Sequence, residues 1–328
     1  MKKTLALLFF LFVSQSIIIS QEKSKYLLSS ADILKIMEVS KVIYVPTLLE
    51  NPDDFKYPKY QTLGDQYYIS EEGESSTLLT YSLSEKGNNS FNLAEQAYSA
   101  KDYDKAIAYY NDVLLTDKNY YKAYTYIGDM CFMKGDYDSA KYYFNLAIKN
   151  NFIDYTAHWF LSDTYVKTKD LDQALKEITI AHLLNRNHLN IFKKLIQIRE
   201  LIGKKWNEWD LTPICNAYKK DDQIIIEATE DWLGYACAEA VWKFEPGFTE
   251  DIFGKSYNDG ELLYEKEAAG LAANIDSKKM GEITKIVEAG QLQEMIMYEL
   301  IGRKYPTVML LIPTELRDRI IEYVNKYH

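Results

Sequence analysis

Asp102-Tyr103-Asp104-Lys105-Ala106, Asp136-Tyr137-Asp138-Ser139-Ala140 and Asp170-Leu171-Asp172-Gln173-Ala174 are three versions of one pentapeptide, set 34 residues apart. A fixed period of that length is the sequence mark of helix-turn-helix units stacked into a solenoid. The Asp at 102, 136 and 170 ends a turn and caps the helix that follows, its carboxylate accepting free backbone N–H groups. Ala106, Ala140 and Ala174 stand where paired helices cross, and a bare methyl lets the backbones approach. Tyr110, Phe144 and Ile178 fill the same face four residues on, and Val113, Ala147 and Ala181 extend the stripe three further.

The helix before each pentapeptide carries its own pattern. In the second unit it reads Tyr124, Ile127, Gly128 and Cys131, in the third His158, Leu161, Ser162 and Tyr165, and in the first, less regularly, Ser90, Leu93, Ala94 and Ala97. Over about residues 88–203 these positions resemble the tetratricopeptide repeat (TPR) family. The Pro that usually closes that family's unit is replaced by Lys118, Phe152 and Arg186. A partial fourth unit begins near His188, with Phe192 and Leu195 in register, and is expected to cover the end of the stack.

The resemblance implies an all-α fold, an α-solenoid of three TPR-like helix pairs plus a capping helix. It also implies a concave groove lined by fixed positions of each first helix. Those positions hold Phe91, Glu95 and Tyr98, then Thr125, Asp129 and Phe132, then Trp159, Asp163 and Val166. Aromatic rings supply contact area, and the acids at 95, 129 and 163 favour a basic or amine-bearing segment. Some relatives hold a C-terminal carboxylate with Asn and Lys at positions where this chain has acids, so that mode is excluded.

Outside the repeats the reading is coarser. Residues 29–39 read as a short capped helix, and Gln66–Ser70 and Thr77–Ser82 as strands or short helices within a flank spanning 21–87. Residues 204–328 read as mainly helical. Trp232, Ala236, Ala240 and Phe244 run at fourfold spacing, and further helices are expected at Leu262 to Ile275, at Met280 to Ile301 with a break at Gly290, and from Thr314. Thr307 to Pro313 reads as a buried strand or helix. Whether this region continues the solenoid or stands apart is left open.

The first 20 residues read as an export signal: Lys2 and Lys3, an apolar run from Leu5 to Val13, then Ser20-Gln21 for cleavage. The expected mature chain is thus periplasmic or extracellular and meets the membrane only through this segment before its removal. Loss of the two lysines deepens a formal charge of −10 to −12. An acidic chain without a basic patch repels phosphate backbones, which excludes nucleic acid as a partner. The three Cys, at 131, 215 and 237, lack CxxC spacing; Cys131 takes a packing position, and a bridge between Cys215 and Cys237 stays open.

The four His have packing, helix-end or chain-end positions, and acid pairs such as Glu227/Glu230 and Glu315/Asp318 suit solvated helix surfaces. No triad, phosphate loop or metal spacing stands out. The expected function is therefore a protein- or peptide-binding scaffold or adaptor, with no catalytic residue, cofactor or metal. An enzyme hidden in residues 204–328 and a self-assembling structural component are the two rivals.

Overall fold

In the computed structural model each acidic residue of the three pentapeptides is a helix N-cap: the carboxylates of Asp102, Asp136 and Asp170 accept from the backbone N–H of Lys105 (3.3 Å), Ser139 (3.1 Å) and Gln173 (3.3 Å). The structure describes residues 25–49, 61–64, 67–72, 75–207, 209, 211–258, 262–274 and 280–328. The expected export segment lies outside them.

In chain order the elements begin with α1 (Ser30–Val39), β1 (Ile43–Leu48), β2 (Tyr67–Glu72) and β3 (Ser75–Thr80). Seven helices follow: α2 (Glu85–Ser99), α3 (Tyr103–Thr116), α4 (Lys122–Met133), α5 (Tyr137–Asn150), α6 (Tyr155–Lys167), α7 (Leu171–Leu184) and α8 (Leu189–Leu201). Strands β4 (Cys215–Lys220) and β5 (Gln223–Ala228) precede α9 (Leu233–Phe244), α10 (Phe248–Phe253), α11 (Leu263–Ala273) and α12 (Gly281–Glu288). The chain ends in α13 (Leu292–Met295), α14 (Gly302–Lys304), α15 (Val308–Leu311) and α16 (Thr314–Tyr327), with a π-turn at Ile296–Ile301.

The chain forms two compact units. One holds residues 61–208 and 305–328. Helices α2–α7 are three consecutive antiparallel pairs and α8 covers the last, giving the TPR fold that the 34-residue period implies. The crossing residues Ala106, Ala140 and Ala174 are fully buried, as are Phe144 and Ile178 above two of them. Gly128 shows how close the approach is, since a Cβ there would lie 2.7 Å from the Phe144 ring. Between the helices of each pair, Lys101, Gly135 and Lys169 take the left-handed conformation (φ 60°, 80° and 64°). The next residue then donates back to the carbonyl of Ala97, Cys131 or Tyr165, closing each helix.

The flank and the tail both belong to this unit. The described residues of 66–82 include two antiparallel strands, β2 and β3, with Tyr67 opposite Thr80 and Glu72 opposite Ser75. Leu63 enters the core of the third pair beside Leu184 and Ile191, and Leu310 from α15 joins the same cluster. The final residue, His328, stacks on Trp206 at 4.4 Å.

The second unit holds 209–304 together with described residues before 50. Its centre is a mixed sheet ordered β1-β5-β4, with β1 parallel and β4 antiparallel to β5. Ile224, Ile226 and Ala228 of β5 pack with Ala236, Cys237, Ala240 and Val241 of α9 and with Ile33 of α1. The apolar face of α9 is thereby buried within its own unit. Residues 204–328 are mainly helical, but they supply two strands of this sheet, β4 and β5, and divide between the two units. Long-range pairing, residue 43 with residue 223, builds it, and no local period announces such pairing.

The expected helices recur as α11, α12 and α16, and the break at Gly290 (φ 73°) separates α12 from α13. Ile275 lies outside the described residues. Residues 29–39 form α1 with a reciprocal capping box between Ser29 and Asp32. Of Thr307 to Pro313, Val308–Leu311 forms a single helical turn, α15.

Candidate peptide-binding groove

The nine groove positions fall on α2, α4 and α6, and the structure divides them into four sets. Tyr98 is exposed, while Phe132 and Trp159 are half-buried; Phe132 leans on Tyr137 (ring centroids 5.6 Å apart) and Trp159 on His188 (5.3 Å). The indole N–H of Trp159 has no hydrogen-bond partner among the described residues. Phe91 and Val166 are half-buried and pack inward, Phe91 against Tyr126 at 5.8 Å and Val166 against the core of the third pair.

Thr125 departs from expectation. It is fully buried, and its hydroxyl donates to Asp154 Oδ2 at 2.6 Å. The same carboxylate takes the buried ammonium of Lys122 at 2.8 Å on its other oxygen. Thr125 and Lys122 therefore anchor the turn between the second and third pairs, and Thr125 does not line a groove. Lys122 opens α4, a helix start where lysine is ordinarily solvated, so its pairing with Asp154 has no signal in the sequence.

The three acids form one electrostatic neighbourhood with unequal members. Glu95 accepts from the Tyr110 hydroxyl. Asp163 pairs with Lys194 of the capping helix at 2.8 Å. Asp129, between them, makes no hydrogen bond or ion pair with any described residue. Burial, and then the negative charge of Asp163, push its carboxyl up to about 6. The charge of Asp129 in turn raises the Tyr98 phenol, with burial adding to it.

Another buried pair supports the same helices. His158 on α6 is almost fully buried, one ring nitrogen 2.6 Å from Glu177 of α7 and the other 3.0 Å from the Phe152 carbonyl. Both partners are acceptors, so the ring ties α6, α7 and the preceding turn together. The expected aromatic packing role holds here, with Phe152 edge-on at 4.9 Å.

The second unit carries its own buried and half-buried titratable groups, among them Cys215, Cys237, Glu239 and Glu267. All three cysteines are free thiols. Burial pushes Cys237 up to about 11, and burial with the neighbouring Glu239 carboxylate raises Cys215 as well, away from a reactive thiolate. Glu239 and Glu267 sit among Lys243, Lys266 and Lys304, with contacts of 2.8 Å for Lys243–Glu239 and 3.0 Å for Lys304–Glu267. Burial opposes ionisation of Glu239, but the surrounding ammonium groups outweigh it and hold the carboxyl down at about 2. Glu227 accepts from the Tyr218 hydroxyl at 3.1 Å.

No protein-family model and no curated protein sequence matches this chain. Solved structures similar to its repeat array include the first TPR of Spaghetti (RPAP3) bound to an HSP90 peptide, with 19% identity over 37% of this chain and 96% of that one, TM-score 0.35. The Yersinia enterocolitica type III secretion chaperone SycD, in complex with a peptide of the translocator YopD, is 15% identical over 36% of this chain and 96% of that one, TM-score 0.34. MamA is 17% identical over 36% and 68% of the respective chains, TM-score 0.33. At such scores the TPR assignment rests on the helix pairs themselves.

Proposed function

We propose that the protein is an exported scaffold whose array holds an extended or helical peptide, with a basic side chain of that peptide seated on Asp129. The observation that carries this is the unequal state of the three groove acids. Two have internal partners; the middle one keeps a half-buried carboxylate with none, next to another acid. A fold gains nothing from that arrangement, because desolvating a charge without a partner costs stability. A ligand cation supplies the missing partner. Lys194 on Asp163 is an internal example of an ammonium accepted by this ladder, and Tyr98, Phe132 and Trp159 offer the apolar contact area beside it.

Export is proposed from the sequence of the first 20 residues alone. Its test is the N-terminus of the protein recovered from envelope and medium fractions. A chain found only inside the cell with residues 1–20 intact overturns it.

The groove is tested by binding to an unbiased peptide library. Enrichment of Lys and Arg is expected, with affinity falling about tenfold in Asp129→Asn, the equivalent of about 1.4 kcal/mol. Enrichment of acidic or purely apolar peptides, or equal affinity in the variant, overturns the reading. Trp159→Ala with Phe132→Ala is expected to abolish binding of the same peptides.

A further inference from the structure

The partner that Asp163 has and Asp129 lacks can be traced to one position of the repeat. Helix α8 starts and ends 34 residues after α6, so the capping helix keeps the register of the units before it. In that register Lys194 stands where α6 has Phe160 and α4 has Tyr126. Each of these residues comes 31 positions after a groove acid of the preceding unit: Tyr126 after Glu95, Phe160 after Asp129 and Lys194 after Asp163. Structural repetition puts the three pairs at equivalent junctions between consecutive first helices.

What fills the junction decides the state of the acid. Tyr126 stacks on Tyr110 at 5.1 Å, and the Tyr110 hydroxyl donates to Glu95. Phe160 meets the Phe144 ring at 6.1 Å and packs on the core of the second pair, and its side chain has no polar atom to offer Asp129. Only Lys194 brings a charge, and its ammonium reaches Asp163 at 2.8 Å. The side chains of that pair stay 26% and 27% exposed, so the contact lies outside the core.

An ion pair this open to water adds little to the fold. Its effect on a ligand is larger. A tethered ammonium competes with a free peptide at an effective concentration on the order of millimolar. A basic residue arriving at Asp163 therefore finds the seat taken and meets a like charge beside it, which is how a site rejects the wrong partner. At Asp129 the same residue finds the carboxylate open.

Resting on the reading of the groove as a site for a basic peptide, we propose that Lys194 is its specificity-determining residue: by occupying Asp163 it limits the groove to one basic residue, seated on Asp129. The partner is then a peptide with a single Lys or Arg at that seat and an uncharged residue over the Asp163–Lys194 pair. Packed helices lie about 8–10 Å apart and an extended chain advances about 3.3 Å per residue, so neighbouring seats correspond to residues about three positions apart.

The test uses the full chain and a single-lysine peptide selected by the wild-type protein from an unbiased library. Versions of it carry a second lysine next to the first, or three positions away on either side. Wild-type protein is expected to gain less than twofold in affinity from any second lysine. In Lys194→Met, one of the three-position peptides is expected to bind at least tenfold tighter than the single-lysine peptide, and the adjacent pair to gain far less. Adding Asp163→Asn is expected to cancel that gain, and Lys194→Arg to keep the wild-type pattern. Lys194→Gln is measured alongside, so that a folding defect in one uncharged variant leaves the other to decide. Equal gains for adjacent and spaced lysines would reveal a general change of field and overturn the proposal, as would a wild-type protein that already favours two basic residues. Wild-type selection of one basic residue with no change in the Lys194 variants overturns this proposal alone, whereas a wild-type library without basic enrichment overturns the groove reading itself.

Discussion

The two units place buried charge in opposite ways. In the unit of 209–304, Glu239 and Glu267 are surrounded by three ammonium groups, and the Tyr235 hydroxyl also donates to Glu267. In the repeat array, Asp129 is left beside another acid with nothing to neutralise it. The first arrangement makes charge part of the fold. The second keeps charge available, at a cost to the fold, and such a cost is understandable where a ligand arrives to remove it.

The largest effect is expected from breaking the satisfied network. Glu267→Gln removes the carboxylate that Lys304 contacts at 3.0 Å and Lys266 at 3.6 Å, while leaving both ammonium groups in place. Deleting one member of a buried ionic cluster strands the others, so a loss of about 3–5 kcal/mol is expected in urea unfolding of this unit. Loss of less than about 1 kcal/mol would mean that water already reaches the cluster.

Titration gives the comparison a sign. Glu239 is held down at about 2, below its ordinary 4.5, so it stabilises the folded unit above pH 4.5 and that contribution disappears as pH falls toward 2. The difference amounts to on the order of 3 kcal/mol. Asp129 is pushed up to about 6 from 3.8, so it carries no penalty below pH 4 and costs stability as pH rises from there to 6. That penalty is about 3 kcal/mol. Accordingly, Asp129→Asn is expected to stabilise the array at pH 7 and to be neutral at pH 3.5, in thermal unfolding followed by Trp159 fluorescence. Destabilisation at pH 7 would break the contrast, since it would reveal an internal partner for the carboxylate.

The same contrast governs what could be read in advance. The array was legible because its contacts are local and repeat: alanines at crossings, Asp at caps and one small residue facing Phe144 recur at a fixed distance. The second unit depends on strand β1 joining β5 across some 180 residues. The Ile224-Ile225-Ile226 run after the Asp221-Asp222 turn was a usable strand signal, with Asp221 taking a left-handed φ of 54° as a two-residue hairpin requires. Its parallel partner carries a similar run, Val42-Ile43-Tyr44-Val45, but nothing local pairs it with a strand so far along the chain. Within the groove, chemistry was legible only by type. Sequence gave three equivalent acids, and tertiary packing made them unequal by bringing in Tyr110 and Lys194; it also turned Thr125 inward toward Asp154.

Smaller effects come from glycines and left-handed turns, and they separate the units again. Gly234 and Gly270 lie on α9 and α11, where an added Cβ would meet the Ala273 carbonyl oxygen at 2.3 Å and the Tyr235 ring at 2.5 Å. A backbone carbonyl cannot swing aside, so Gly234→Ala is expected to cost about 2–3 kcal/mol. In the array, Gly128→Ala presses on the Phe144 ring, which can shift with its helix, and about 1–2 kcal/mol is expected. Equal costs in the two units would show that the stacked pairs are no more adaptable than the sheet-centred unit.

The smallest expected change is a gain. Lys101, Gly135 and Lys169 occupy the same left-handed position in successive units, yet only the middle unit uses the residue for which that conformation is free of Cβ strain. Lysine there carries about 1 kcal/mol of conformational cost, offset in part because glycine loses more backbone freedom on folding. Lys101→Gly and Lys169→Gly are each expected to raise stability by about 0.5 kcal/mol, and Gly135→Ala to lower it by about 1 kcal/mol, in denaturant unfolding. Because Lys101 and Lys169 lie two repeats apart, the two gains should add, and a double variant gaining clearly less than their sum would mean that the turns are coupled through the repeat interfaces.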